Sequence, residues 1–322
     1  MKTLSLFDPI RQELEAVEEK LRESPDEEHT WLKETLSYLL DSGGKRIRPA
    51  VAILASKFHE HDGSRVTPLA AAVEMLHTAT LVHDDLLDGS LLRRGNVTLN
   101  ARLDTGAVVL VGDYLFARAA DLAAATASVQ VVNIFAATLM TICSGELRHA
   151  FSPDGWGRTK EDYYSGTYSK TASLFAASAE AGALLSGAPA PIVQSLREYG
   201  CNLGMAFQIV DDILDFVGDE SEMGKPSGSD LRQGTVTLPL LLFLEEQPEN
   251  DLMACVFEHG EGREEAIRAL VEMVRSSSAI DSARQEARRH TLACKDAIGG
   301  LSPTQYRQVM LDLADLLLER RR

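Results

Sequence analysis

The pattern Asp-Asp-x-x-Asp occurs twice in this chain, each time on an apolar run. The first copy lies in the stretch from His77 to Gly95 (HTATLVHDDLLDGSLLRRG) and supplies Asp84, Asp85 and Asp88. The second, QIVDDILD, supplies Asp211, Asp212 and Asp215. At 3.6 residues per turn, carboxylates four apart project from one helix face, so Asp84 pairs with Asp88 and Asp211 with Asp215. Like charges one turn apart repel by a few tenths of a kcal/mol even when solvated. One such motif reads as a solvated acidic helix end. Its return points to two facing helices of similar design with cations to hold between them.

The remaining chain supplies helices to match. Residues 8 to 40 are helical in period, with a break near Ser24-Pro25-Asp26, and are followed by the turn DSGGKRIRP from Asp41 to Pro49. Helices are expected over Ala50–Phe58, Thr67–Leu87, Gly106–Ala127, Val129–Phe151, within Thr159–Ser186, and over Ile192–Phe216. The polar, Gly-rich segment Gly218–Thr237 reads as a mobile loop. Further helices follow over Pro239–Glu246, Asp251–His259, Glu264–Ser276, Asp281–Ile298 and Pro303–Arg321. No run alternates with period two, so no sheet is expected, and no composition break marks a boundary. The fold class is all-α, a single domain over residues 1–322.

A formal net charge of −16 excludes nucleic acid as a partner, which needs a basic footprint. Anionic small molecules remain open, because local clusters override the mean. Cys143, Cys201, Cys255 and Cys294 are scattered without a CxxC pair, which fits buried thiols in a reducing compartment. The N-terminus turns acidic too early for a signal peptide. The longest apolar run, about Val131 to Cys143, is too short and interrupted to span a bilayer. The expected location is cytoplasmic.

Carboxylate-only donors suit magnesium, which binds through one or two carboxylates and leaves room for phosphate oxygens. Zinc and iron fit less well without a His or Cys set. Lys45, Arg46, Arg48, Arg93, Arg94, Lys170 and Lys225 all lie in or beside turns. Carboxylates, magnesium and Arg/Lys forks together are what a diphosphate-handling site requires. Apolar helices beneath a polar mouth would leave a greasy cavity. The substrate implied has a diphosphate head and a hydrocarbon tail. His77 is seven residues before Asp84 and shares its face, whereas His83 is read as packing or capping. Arg46 is read as structural, on the opposite side of its turn from Lys45 and Arg48.

GGKRIRP, HTATLVHDDLLD…RRG, YSKTASL and FQIVDDILDF…GKPSGSDLRQGTVTLP, in this order from about residue 43 to 240, resemble the trans-polyprenyl diphosphate synthase family. The resemblance implies an isoprenoid-synthase-type helical bundle around a deep central cavity, usually a homodimer. It implies head-to-tail condensation of isopentenyl diphosphate onto an allylic diphosphate, with about three Mg2+ ions present when substrate is bound. By position, Asp84 and Asp88 resemble the ligands of two ions and Asp211 that of a third. Asp85, Asp212 and Asp215 resemble acceptors behind them, for water and lysine. Lys45, Arg48, His77 and Arg94 resemble the isopentenyl diphosphate grip. Arg93, Lys170, Thr171, Gln208 and Lys225 resemble the contacts to the allylic diphosphate. One departure is Thr235, where several relatives carry Lys, which leaves Lys225 as the main loop cation.

Ala79 and Thr80 lie five and four residues before Asp84, where short-chain relatives carry a bulky aromatic that closes the cavity floor. Small residues here, and a first motif without extra residues, imply a long product in the hexaprenyl to decaprenyl range. The alternatives are a short-chain farnesyl or geranylgeranyl synthase, or one subunit of a hetero-oligomer. A class I terpene cyclase would not need a second Asp-Asp-x-x-Asp or GGKRIRP. A non-catalytic partner subunit would be expected to lose one acidic motif. A purely structural helical protein would need neither. Product release at a membrane surface would suit so apolar a molecule, though no anchoring helix stands out.

Overall fold

The computed structural model describes residues 5–23, 30–60, 62–93, 95–151, 159–218, 226–248, 250–257 and 262–319. The expected break at Ser24-Pro25-Asp26 lies outside the described residues. Helices dominate: α1 Arg11–Arg22, α2 Thr30–Asp41, α3 Ile47–Ser56, α4 Gly63–Leu87, α5 Thr105–Ala124, α6 Val129–Ala150, α7 Lys160–Thr167, α8 Ser173–Leu185 and α9 Ala190–Val217. Then come α10 Ser229–Arg232, α11 Leu238–Glu246, α12 Asp251–Phe257, α13 Arg263–Ser276, α14 Ala279–Ala297 and α15 Gln305–Leu318. The absence of any sheet needs correcting, because β1 (Leu92–Arg93) and β2 (Asn96–Val97) pair antiparallel as a small hairpin. Gly95 supplies its positive φ of 81°. The hairpin is too short to show period-two alternation, which is why the sequence pattern does not reveal it.

Contacts divide the chain into two compact units. The first takes residues 1–139, 174–200 and 297–313, and the second takes 140–173, 201–296 and 314–322.

In the first unit α4 packs against α5, α3 and α1. Asp62 caps its start by accepting from the Ser64 amide at 2.9 Å. Every residue from Pro68 to Leu76 is buried, Glu74 among otherwise apolar neighbours. Beyond Leu76 only Ala79, Val82 and Asp85 are buried, and three-residue spacing places them on one stripe. The other stripe, His77, Thr80, Asp84 and Asp88, keeps solvent exposure. Close approach of α5 depends on Gly112: a Cβ there would lie 2.1 Å from His83 Nε2. His83 therefore packs, as expected, with Nε2 3.3 Å from the Val109 carbonyl oxygen and its ring against Phe116.

The second unit has its own apolar core, built from Ile209, Ile213, Phe216, Leu240, Phe243 and Leu270 with their neighbours. Thr159 and Asp162 form a reciprocal capping box that starts α7. Within Thr159–Ser186, Tyr168–Ala172 forms a π turn between α7 and α8, the kind of interruption that often marks functional positions.

Two further expectations are revised. The described part of the Gly218–Thr237 segment is tied down rather than mobile. Asp215 Oδ2 accepts from the Asp230 amide at 3.1 Å, Arg275 donates to the Phe216 carbonyl, and Arg232 pairs with Glu264. Gly228, at φ 71° and with Val271 Cγ2 2.5 Å from where a Cβ would sit, is fixed as glycine by both conformation and space. Second, the apolar run near Val131 belongs to a 22-residue helix, α6, long and apolar enough by length and composition to cross a bilayer.

Candidate active site

The first acidic turn closes α4. Asp84 is half-buried, Asp85 is buried and Asp88, the C-cap, is exposed. Arg93 on the hairpin donates from Nε to Asp85 Oδ1 at 2.7 Å. Burial pushes the Asp85 carboxyl above its ordinary value; Arg93 opposes this and Asp88 adds to it. On the same open stripe, Thr80 Oγ1 donates to the His77 carbonyl at 2.7 Å, and Ala79 is wholly buried. Lys45 is exposed at the turn before α3, and the Arg48 guanidinium lies 4.5 Å over the Phe175 ring.

The second acidic turn closes α9 in a similar way. Asp211 is half-buried, and Asp212 is buried among protein donors. Tyr163 Oη donates to Asp212 Oδ2 at 2.6 Å, and Gln208 Nε2 donates to Asp212 Oδ1 at 2.8 Å. Thr171 Oγ1 in turn donates to Gln208 Oε1 at 2.8 Å, so both ends of the amide are oriented. Burial, and then repulsion from Asp230, hold the Asp212 carboxyl well above the ordinary aspartate range. Lys170, in the π turn, reaches Glu146 Oε1 at 3.3 Å. Beside it Arg148 donates to Ser169 Oγ at 3.2 Å.

The structure thus gathers Lys170, Thr171, Gln208 and Asp212 into one neighbourhood of the second unit. It pairs Asp85 with Arg93 in the first unit. The acceptors behind the outer carboxylates receive Arg93 at Asp85, Tyr163 and Gln208 at Asp212, and the Asp230 amide at Asp215. Arg94 and Lys225 lie outside the described residues. Thr235 closes the turn after α10, donating its amide to the Asp230 carbonyl at 2.9 Å. Tyr163 and Glu146 were missed. Spacing could not have found Tyr163, which is buried against Asp212 whereas Lys170, seven residues on, is exposed.

Asp84 and Asp88 in the first unit, and Asp211 in the second, each offer carboxylate oxygens, the donors a hard divalent cation takes together with phosphate oxygens and water. Among the described residues no three His, Cys, Asp or Glu side chains are gathered so as to hold an ion without such help.

Long helices, two acidic turns at their C-terminal ends and cations in the neighbouring turns define a class: all-α enzymes of the isoprenoid-synthase type. The comparison with known proteins agrees. The sequence pattern of the polyprenyl synthetase family matches residues 29–274. The chain is 37% identical over 314 residues to heptaprenyl diphosphate synthase component 2 of Geobacillus stearothermophilus, covering 98% of each. It superposes on a decaprenyl diphosphate synthase from Rhodobacter capsulatus with a TM-score of 0.91 and 34% identity, covering 99% of both chains. A polyprenyl synthase from Caulobacter crescentus, crystallised with calcium and isoprenyl diphosphate, gives a TM-score of 0.90 at 33% identity, covering 99% of this chain and 98% of that one. The chain belongs to the polyprenyl synthetase family and is a transferase of prenyl groups.

Proposed function

We propose that this chain condenses isopentenyl diphosphate head-to-tail onto an allylic diphosphate and repeats the step to a long all-trans product. The observation that carries the reading is the shared design of the two acidic turns. In each, the first aspartate (Asp84, Asp211) is half-exposed and the second (Asp85, Asp212) is buried and held by protein donors. The third differs: Asp88 is exposed, whereas Asp215 is buried and accepts a backbone amide. That pattern supports Asp84, Asp88 and Asp211 as the ligands of three Mg2+ ions, with Asp215 assigned to the loop. Magnesium held there supplies positive charge to the diphosphate oxygens as the allylic C–O bond breaks.

The remaining roles belong to side chains. Lys170, Thr171 and Gln208, with Arg93 and Lys225, grip the allylic diphosphate. Asp85 and Glu146 orient Arg93 and Lys170 for that task. Lys45, Arg48, His77 and Arg94 hold isopentenyl diphosphate so that its double bond attacks the allylic carbon. A proton is then lost and the diphosphate carries it away. Thr80, half-exposed one turn before Asp84, is the residue we assign to meet the growing tail, with Ala79, wholly buried, behind it. The small size of both residues, and the heptaprenyl and decaprenyl relatives, support a product in the hexaprenyl to decaprenyl range.

A second copy of the chain is the partner we assign. Exposed apolar residues on α5 and α6, among them Leu110, Val129, Met140 and Leu147, support a homodimer. A transient membrane surface would accept the product; the cysteines, expected to be buried, are so only at Cys294, with Cys143 and Cys255 exposed, and a cytoplasmic setting is the one we assign. The Geobacillus relative is named as one component of its synthase, which favours a heteromer as the second reading. Turnover by the purified chain alone decides between them.

The test of the ligand assignment is Asp84→Asn. Magnesium-dependent turnover of an allylic diphosphate with isopentenyl diphosphate should vanish while circular dichroism and melting stay near wild type. Retained turnover would remove Asp84 from the metal set.

A further inference from the structure

The turn between α2 and α3 hangs on one residue that the mechanism leaves unused. Arg46 has left-handed backbone (φ 48°, ψ 34°), a conformation that non-glycine residues avoid unless their surroundings hold them there. Its side chain supplies the hold. Nη1 donates to Glu74 Oε1 at 2.8 Å, and Nη2 donates to Glu18 Oε2 and to the Leu40 carbonyl, each at 3.2 Å; Nε also meets Glu18. Groups from α1, α2 and α4 therefore close on one guanidinium. Glu74 is 4% exposed, and without Arg46 its charge would be buried with its main counterion gone.

Geometry separates Arg46 from its neighbours in the motif. Lys45 is exposed and Arg48 stacks on Phe175, while the head of Arg46 is turned into the helices and its donors are taken by two carboxylates and a carbonyl. Glu74 is three residues before His77 on α4, so the same ion pair ties the basic turn to the helix face carrying that histidine.

We infer that Arg46 is a positioning residue for the isopentenyl diphosphate grip: clamped by Glu74 and Glu18, it fixes Lys45 and Arg48 relative to His77. The inference rests on the reading above that these three side chains bind isopentenyl diphosphate. Four of the five N–H donors of Arg46 are already engaged by two glutamates and a carbonyl, which commits its side chain to the helices rather than to a phosphate.

The experiment measures KM for each substrate separately, with kcat and melting temperature, in Arg46→Gln, Arg46→Lys and Glu18→Gln, with Lys45→Ala in parallel. Arg46→Gln should raise KM for isopentenyl diphosphate at least tenfold and leave KM for the allylic substrate within about twofold. Arg46→Lys should recover part of that loss. A proportional rise in both KM values, or an unchanged isopentenyl KM in folded Arg46→Gln, would overturn the inference. Should Arg46→Gln fail to fold, Glu18→Gln decides the matter: it keeps the Glu74 pair and should show a smaller rise of the same selectivity, and no selective rise refutes the role. Lys45→Ala separates the grip from its support. If it leaves the isopentenyl KM unchanged, the grip itself is wrong; if it raises that KM while Arg46→Gln does not, only the positioning role falls.

Discussion

Replacing Gly112 by alanine tests the packing on which the first acidic turn depends. The added methyl would sit 2.1 Å from His83 Nε2, 2.4 Å from Cδ2 and 2.8 Å from Cε1. An unstrained contact of this kind is about 3.5 Å, so the ring or the helix must yield by about 1.4 Å. The ring cannot move without disturbing its contacts with Phe116 and the Val109 carbonyl. Overpacking of this sort costs about 1–3 kcal/mol, and alanine returns about 1 kcal/mol through better helix propensity. The expected net loss is about 0–2 kcal/mol, read as a lower urea midpoint at unchanged slope. In a His83→Ala background the same change should be neutral or stabilising by up to about 1 kcal/mol, because only the propensity gain remains. The cycle should therefore show a coupling of about 1–3 kcal/mol. Since His83 directly precedes Asp84, the single variant should also need more magnesium for half-maximal turnover. A cycle in which Gly112→Ala and His83→Ala show no coupling would refute the reasoning.

Other outcomes can be measured as directly. Tyr163→Phe removes a donor from buried Asp212 and should cost about 1.5–3 kcal/mol in denaturant unfolding; a loss under about 0.5 kcal/mol would mean the hydrogen bond is not what holds that carboxyl. Thr80→Phe should shorten the product by several isoprene units in mass analysis, with Ala79→Phe instead lowering the melting temperature through overpacking. His290, kept neutral by burial and by Arg289, has its pKa lowered in the folded state. The folded chain thus binds that proton less tightly than the unfolded one, and stability present above the ordinary histidine value of about 6.5 is lost as pH falls below it. His290→Gln should flatten that acid-side decline in urea midpoints below about pH 6.5, and an identical profile would exclude His290 as its source.

Much of this was legible because the signals are local. The helices carrying both acidic motifs announce themselves by apolar period, and α4 ends at Leu87 as expected while starting four residues earlier, at Gly63. Asp62 and Ser64 form a cap that apolar period does not reveal, since the helix's first turn is polar. The π turn has no sequence signature: one extra residue per turn is absorbed by hydrogen-bond geometry, and Tyr168–Ala172 looks like ordinary helix. Tyr163 and Glu146 were hidden for another reason. Their roles come from partners far along the chain, Asp212 and Lys170, and motif spacing is blind to contacts made in space. Arg46 was correctly set apart from the cationic cluster, yet its ties to Glu18 and Glu74 could not be read from its place in a turn.

Helix α4 has one more implication. His77, Thr80 and Asp84 ride a single 25-residue rod that Asp88 caps, so their axial separations are set by its rise: about 10 Å from His77 to Asp84 and about 6 Å from Thr80 to Asp84. Neither a loop nor a hinge can alter those intervals. On the function proposed, the yardstick for product size is engraved on the same object that carries the chemistry. Selection can then move the stop by a single substitution, one turn up or down, without recalibrating the reaction itself.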